Sequence, residues 1–265
     1  MWTPKIKAYK KDTPINFPVA CETKYDGEFV YWNGQALLNK RNSHKSTISK
    51  LPKREVYGEL YYGEGKWFYS EIHSHSGIQN KVILFDTGNY GKQPYIERRK
   101  EVEQYKDYGV EVTPMTICEN RTELDRTFED IVKKGYEGCV VKPLDSLTDS
   151  SWVKMKKEYT ATLLVKGLRK GKTMPTITLG SKDHIYCSCT LSGWNAVIDM
   201  LNAEKLERGI DKWIIGEDKE NYLVDSNIKL EVKHNGLILP NKKLRHPRIK
   251  RIRSAENEIN IQQGD

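Results

Sequence analysis

Glu22-Thr23-Lys24-Tyr25-Asp26-Gly27 is the stretch on which the fold of this 265-residue chain turns. It sets one lysine beside an acid and a glycine just ahead of an apolar strand, Gly27-Glu28-Phe29-Val30-Tyr31-Trp32. Lys24 then stands in the turn that leads into that strand, held by a sheet and facing the cleft the sheet lines, where it reads as a nucleophile. Asp26 can hydrogen-bond turn backbone, and Gly27 permits a backbone angle or a close ligand approach that a side chain would block. Taken alone, Lys-x-Asp-Gly also describes an ordinary turn with a solvated lysine, so the rest of the chain decides.

The length allows one large domain or two of ordinary size, and two is the working number. An apolar fraction of 37% and a charged fraction of 30% describe a soluble folded protein. No apolar run approaches membrane-spanning length and Met1-Trp2-Thr3-Pro4-Lys5 opens no signal peptide, so no membrane partner is expected. The expected compartment is the cytoplasm, bacterial or, for a viral source, that of the host. Cys21, Cys118, Cys139, Cys187 and Cys189 are odd in number and scattered, which suits reduced thiols better than a zinc site. Cys187-Ser188-Cys189 puts both thiols on one face of a strand.

The net charge of +8 has one main source. Lys242, Lys243, Arg245, Arg248, Lys250, Arg251 and Arg253 lie in a segment without an acid, a credible anchor for phosphates.

Residues 5–18 read as a short lead-in that packs on the domain or contacts a ligand. An Asn33-Gly34 hairpin turn predicts a second strand over 35–39, which delivers Arg41 back to the level of Lys24. Strands are predicted at 55–61, where Glu59 sits among apolar neighbours and needs a partner, at 81–86 and at 110–116. Helices are predicted at 96–108 and 123–134, the latter opened by Asn120-Arg121-Thr122-Glu123 and stopped at Gly135. A strand over 138–142 follows, with Glu137 at its start. In Ser151-Trp152-Val153-Lys154-Met155-Lys156, alternation places Lys154 and Lys156 on one face, a pair of like charges best explained by a bound polyanion. From residue 160 the strands shorten, at 161–165, 176–179, 185–191 and 228–234, with a helix near 194–207. Glycine turns and a basic end suit a small five-stranded oligonucleotide-binding (OB-fold) barrel.

In this order the pieces resemble the covalent nucleotidyltransferases, and most closely the ATP-dependent DNA ligases in a minimal two-domain form. The resemblance runs through Glu22–Gly27, Arg41-Asn42-Ser43, Tyr57-Gly58-Glu59, Leu84-Phe85-Asp86, Gly135–Lys142, Trp152–Lys156 and the tail Leu244-Arg245-His246-Pro247-Arg248-Ile249-Lys250-Arg251-Ile252-Arg253. It implies an α+β chain: an adenylation domain of ATP-grasp-like antiparallel sheets with helices over residues 1–157, then an OB-fold β-barrel over 158–265, hinged near residues 157–160.

It further implies that the Lys24 amine takes AMP from ATP, passes it to the 5′-phosphate of nicked double-stranded DNA, and that the 3′-hydroxyl then seals the strand. Each step is an in-line displacement at phosphorus, for which a site supplies position and positive charge. Lys24 must be neutral to attack, a state that nearby cations and burial favour. In this likeness Lys154 and Lys156 hold the α-phosphate, Glu137 and Glu59 bind Mg²⁺ or Mn²⁺, Glu59 and Arg41 fix the ribose and nearby phosphate, Phe85 stacks on adenine, and Thr23 and Lys142 complete the nucleotide site. Arg248, Arg251 and Arg253 are candidates to orient pyrophosphate. Arg41, Lys242, Lys243, Arg245, Arg248 and Lys250 are candidates to hold DNA.

Two departures stand out: Phe29 replaces an arginine common in such ligases, and the tail continues Arg253-Ser254-Ala255-Glu256 where an acid and a lysine are frequent. An RNA ligase, a capping-type guanylyltransferase and a catalytically silent OB-type binding module are the alternatives. The Leu-Arg-His-Pro-Arg tail favours DNA ligase over the first two, and the acids facing a polyanion argue against the third. A monomer is expected; a clamp or repair-factor partner is left open.

Overall fold

The computed structural model describes residues 4–10, 12–45, 47, 50–61, 81–89, 91–108, 110–172, 175–190, 214–224, 228–238, 242–253 and 260–261. The chain divides into two compact units, Met1–Lys157 and Glu158–Asp265.

In the first unit the strands are β1 (Lys7–Ala8), β2 (Val19–Lys24), β3 (Glu28–Trp32), β4 (Leu37–Asn39), β5 (Val56–Tyr61) and β6 (Lys81–Thr87). Helix α1 (Tyr95–Glu103), β7 (Met115–Cys118), α2 (Arg121–Lys133), β8 (Gly138–Pro143) and β9 (Val153–Lys156) follow. They build two sheets, ordered β1-β9-β8-β2-β7 and β4-β3-β5-β6. All the pairings are antiparallel except β1 with β9.

Lys24 ends β2 in one sheet and Glu28 begins β3 in the other, so Tyr25-Asp26-Gly27 carries the chain between the sheets. This refines the expected position of the lysine: it closes a strand that the alternation pattern did not reveal. The reason is burial on both faces, since Val19, Ala20, Cys21, Glu22 and Thr23 are all buried and two-sided burial erases the polar-apolar alternation. Gly27 is required by a close approach, because a Cβ there would lie 2.4 Å from the Leu60 carbonyl oxygen.

Other differences are local. The Asn33-Gly34 turn spans four residues, with Asn33 Oδ1 accepting from the amides of Gln35 and Ala36 at 2.9 and 2.7 Å, so β4 starts later than expected. The strand expected at 110–116 is displaced to Met115–Cys118; ahead of it Val112 makes only an isolated bridge to Leu84. Helix α2 opens as anticipated, with the Asn120 side chain accepting from the Glu123 amide at 3.0 Å. It closes in a Schellman turn: Gly135 (φ +90°) donates to Val132 O and Tyr136 donates to Ile131 O.

The second unit contains β10 (Tyr159–Arg169), β11 (Thr176–Gly180), β12 (Ile185–Thr190), β13 (Ile214–Glu217), β14 (Asn221–Val224) and β15 (Lys229–His234). A two-stranded sheet, β16 (Leu237–Ile238) with β17 (Lys243–Leu244), comes next, then β18 (Arg248–Arg253) and β19 (Asn260–Ile261). The long strand β10 organises an eight-stranded sheet, pairing with β11, β14, β15 and β19, while β15 also pairs with β18. Ala161, Leu163, Val165, Leu179, Leu230 and Val232 form its core. Among the described residues these pairings do not close into the expected five-stranded barrel. The basic tail itself supplies β18, because Ile249 packs on the core between outward cations. The helix expected near 194–207 lies outside the described residues.

All five cysteines are free and buried, and the Cys187 and Cys189 sulfurs are 4.0 Å apart, on one strand face as the spacing requires. Among the described residues no helix is long and apolar enough to cross a membrane.

Gly138 has φ +148°, and a Cβ there would sit 2.0 Å from Met155 O. Gly138→Ala should therefore cost the first unit about 3 kcal/mol or more in urea unfolding, whereas Gly135→Ala, with open space around its Cβ, should cost only about 1–2 kcal/mol. Equal losses would show that the β8–β9 contact is not what demands glycine.

Candidate active site

A cleft of about 770 Å³ opens in the first unit, with walls from both sheets. Lys24, Thr23, Lys154 and Lys156 come from one sheet, Glu59 and Phe85 from the other.

Glu137, in the turn before β8, is buried and holds two lysines on one carboxylate. Lys24 Nζ lies 2.5 Å from its Oε2, and Lys156 pairs with its Oε1. Burial pulls the Lys24 ammonium down, yet Glu137, Glu59 and Asp26 together outweigh it and hold its pKa above the ordinary lysine value. The expectation that neighbouring cations keep Lys24 neutral is corrected for the ligand-free chain: the nearest charges are acids. The depression falls instead on Lys156, through burial and then the charge of Lys24. Lys154 shares its strand face and lines the cleft, and among the described residues it has no acidic partner.

Glu59 accepts from the Gly27 amide at 3.1 Å. Burial pushes its carboxyl up to about 7, against the pull of Lys24 and with help from Glu137 and Asp26. A carboxyl that crowded gains from a nearby cation. Glu59 and Glu137 are hard oxygen donors of the kind Mg²⁺ or Mn²⁺ accepts with water and phosphate filling the other positions. Two carboxylates fit such an ion as partial ligands; among the described residues no cluster of three or more His, Cys, Asp or Glu could hold a metal by itself.

Arg41 reaches the same cleft from a turn pinned by Asn39, whose Oδ1 accepts from the amides of Arg41 and Ser43 at 2.9 and 3.0 Å. Phe85 is half-buried and offers a ring to the cleft, 6.2 Å from Phe29. Phe29, where the arginine was missed, stacks on Tyr57 at 6.1 Å, and the Lys40 ammonium stands 5.5 Å over its ring. Thr23 is tied through its backbone, accepting from Thr113 Oγ1 at 3.0 Å.

Lys142, expected to complete the nucleotide site, also lines the cleft. It is buried, its ammonium 2.5 Å from Glu22 and within 5.2 Å of the ring centres of Trp152, Tyr95 and Phe85. Its positive charge is thus compensated inside the protein. Glu22 is a residue that the sequence reading did not single out: it also accepts from Arg99 at 2.7 Å and from the Tyr95 hydroxyl. The available signal was an acid within a buried strand, which requires partners.

The tail cations lie in the second unit. Arg248 pairs with Glu158 at 3.0 Å, Lys250 and Arg251 with Glu231 at 2.5 and 2.9 Å, and Arg253 also with Glu231. Lys243 donates to Ile185 O at 2.6 Å; Lys242 is exposed in the turn before it, and Arg245 is anchored by its backbone to Asn235 and Gly236.

Glu137→Gln should lower the pH at which Lys24 titrates, and Lys24→Met should raise that of Lys156, both followed by NMR of ¹³C-dimethylated lysines. An unmoved Lys24 titration in the first variant would remove Glu137 as its governing counter-charge.

No family model matches the chain. A DNA ligase of Methanosphaera stadtmanae is 23% identical over 305 aligned residues, covering 89% of this chain and 52% of that protein. A probable DNA ligase of Dictyoglomus thermophilum is 27% identical over 104 residues, 34% of this chain and 18% of that protein. The chain thus spans at most about half the length of these relatives. Among solved structures, a Lig E DNA ligase described as binding DNA with a minimal scaffold superposes with a TM-score of 0.70 at 17% identity, covering 94% of this chain and 98% of its own. The structure named Pmar-Lig_PreS3 gives 0.64 at 15%, over 89% of this chain and 63% of its own. The fold of the chain is similar to that of the Lig E DNA ligase and of Pmar-Lig_PreS3.

Proposed function

We propose that this chain is an ATP-dependent DNA ligase that seals nicks in duplex DNA through a lysyl-AMP intermediate. The observation that carries the reading is the Lys24 amine at the crossing between two sheets, in a cleft that also presents Lys154, Lys156, Arg41, Glu59 and Phe85. A coating protein has no need of carboxylates facing a polyanion.

In the first step Lys24 Nζ, once deprotonated, attacks the α-phosphorus of ATP. A P–N bond forms, the bond to the β-phosphate oxygen breaks, and pyrophosphate leaves. Glu137 lies at the right distance to accept the ammonium proton, and phosphate oxygens would then take over the lysines that now share its carboxylate. Lys154 and Lys156 meet the charge on the α-phosphate. Arg41 and Glu59 fix the ribose, and the Phe85 ring stacks on the base. Glu59 and Glu137 would hold Mg²⁺ or Mn²⁺, which would supply Lewis-acid stabilisation of phosphate charge.

The 5′-phosphate of the nick next displaces Lys24 from AMP, and the 3′-hydroxyl displaces AMP to join the strand. Residues 1–157 serve as the adenylation domain. Residues 158–265 serve as an OB-type domain, the long β10 being its shared strand, with a hinge near residues 157–160. Arg41, Lys242, Lys243, Arg245, Arg248 and Lys250 hold DNA, Arg248, Arg251 and Arg253 are the candidates to orient pyrophosphate, and the protein acts as a monomer.

Incubation with α-labelled ATP and Mg²⁺ should label the protein, and GTP or NAD should not. Lys24→Ala should abolish labelling, and Lys154→Ala or Lys156→Ala should slow it by about 10²–10³-fold. Label retained without Lys24 would remove the nucleophile, and labelling by GTP alone would favour capping chemistry. Nick binding should also fall steeply with salt, since many phosphates are neutralised; a flat response would discount the tail as a DNA contact.

A further inference from the structure

Glu231 is an acid inside the most basic part of the chain. It lies on β15 between Leu230 and Val232, which point into the core, so its own side chain faces the other side of the sheet. Such a position is normally solvated, yet the Glu231 side chain is only 2% exposed. Its ion-pair partners among the described residues are Lys250, Arg251 and Arg253, whose side chains remain 39%, 55% and 32% exposed.

Strand alternation alone would not bring these three together, since Lys250 should face away from its neighbour Arg251. The register of β18 on β15 explains the convergence: Glu231 pairs with Arg251 and Val232 with Ile249, which leaves Lys250 as the extra residue of a bulge. The bulge turns Lys250 onto the face where it meets Glu231 Oε1, while Arg251 Nε and Arg253 Nη2 meet Oε2. Beside this group Glu158 gathers Lys233 and Arg248 at 2.6 and 3.0 Å. Three cations around one carboxylate keep two net positive charges at one spot. Without the carboxylate they would repel and splay.

We propose that Glu231 is a positioning residue that converges Lys250, Arg251 and Arg253 into a site for a phosphate group. Guanidinium and ammonium donors converging from one face suit tetrahedral phosphate oxygens. The phosphate can be pyrophosphate or a backbone phosphate of DNA, and for that choice of source the proposal rests on the ligase reading above.

The sign of one substitution separates positioning from bulk charge. Glu231→Gln adds a positive charge, so an unstructured basic patch would bind phosphate more tightly. The positioning site should instead weaken. Inorganic pyrophosphate is titrated calorimetrically into the full-length protein without ATP, and an unnicked duplex is titrated separately, with thermal unfolding as the check on folding. We expect Glu231→Gln to weaken one or both ligands by about tenfold, the loss of roughly one charge-assisted hydrogen bond. Loss with pyrophosphate only assigns the site to the leaving group, and loss with duplex only assigns it to the strand. Glu158→Gln, the same charge change on the same face, should bind at least as tightly as the parent.

Unchanged or tighter binding of both ligands by Glu231→Gln overturns the proposal. Should that variant fail to fold, Glu231→Asp keeps the charge but withdraws it by one methylene, and equal affinity there overturns it too. A chain that never labels with ATP yet shows the Glu231 effect loses the ligase reading and keeps this site; normal labelling with no Glu231 effect does the reverse.

Discussion

Two lysines lean on one buried carboxylate, and the architecture of the cleft follows from that contact. Lys24 ends β2, Glu137 precedes β8 and Lys156 ends β9, so Glu137 fastens three adjacent chain segments at the same end of one sheet. A buried acid with two cations leaves net positive charge in a partly desolvated site, and removing Glu137 would strand both ammonium groups without a counter-charge. The same arrangement makes the cleft receptive to an anion, because phosphate oxygens can replace the carboxylate for both ammonium groups. The ligand-free chain thus holds the Lys24 amine in protonated form.

Much of this was legible in the sequence where the governing rule is local. Alternation correctly put Lys154 and Lys156 on one face because a half-buried strand has a period of two. Asn120 and Gly135 marked both ends of α2 because capping is decided within a few residues. Long-range pairing was not legible. Glu22 meets Arg99 and Lys142 across 77 and 120 positions, and no spacing rule announces such partners. The charge state of Lys24 failed for the same reason: its cationic neighbours are visible in the motifs, whereas the geometry that brings Glu137 closer is not.

The second unit repeats the lesson with a different outcome. Its basic tail was recognisable from composition, but a composition reads only as a sum. Folding sorts the cations onto separate carboxylates, Glu158 and Glu231, and a single extra residue in β18 decides which of them meet. The barrel expected from short strands and glycines required knowledge of closure, which depends on pairings between strands far apart in sequence. At 17% identity the ligase-like architecture still persists, as expected when patterning and turn positions specify a fold more strongly than individual residues.

The placement of the cleft across two sheets carries a mechanical consequence. Lys24 and Lys156 belong to one sheet while Glu59 and Phe85 belong to the other, linked in this region by the short Tyr25-Asp26-Gly27 bridge. Any nucleotide that touches both walls acts as a brace across that seam, and its binding free energy is added to the cohesion of the two halves. The robustness of the first unit in a cell would then rise and fall with the supply of whatever ligand spans the two walls.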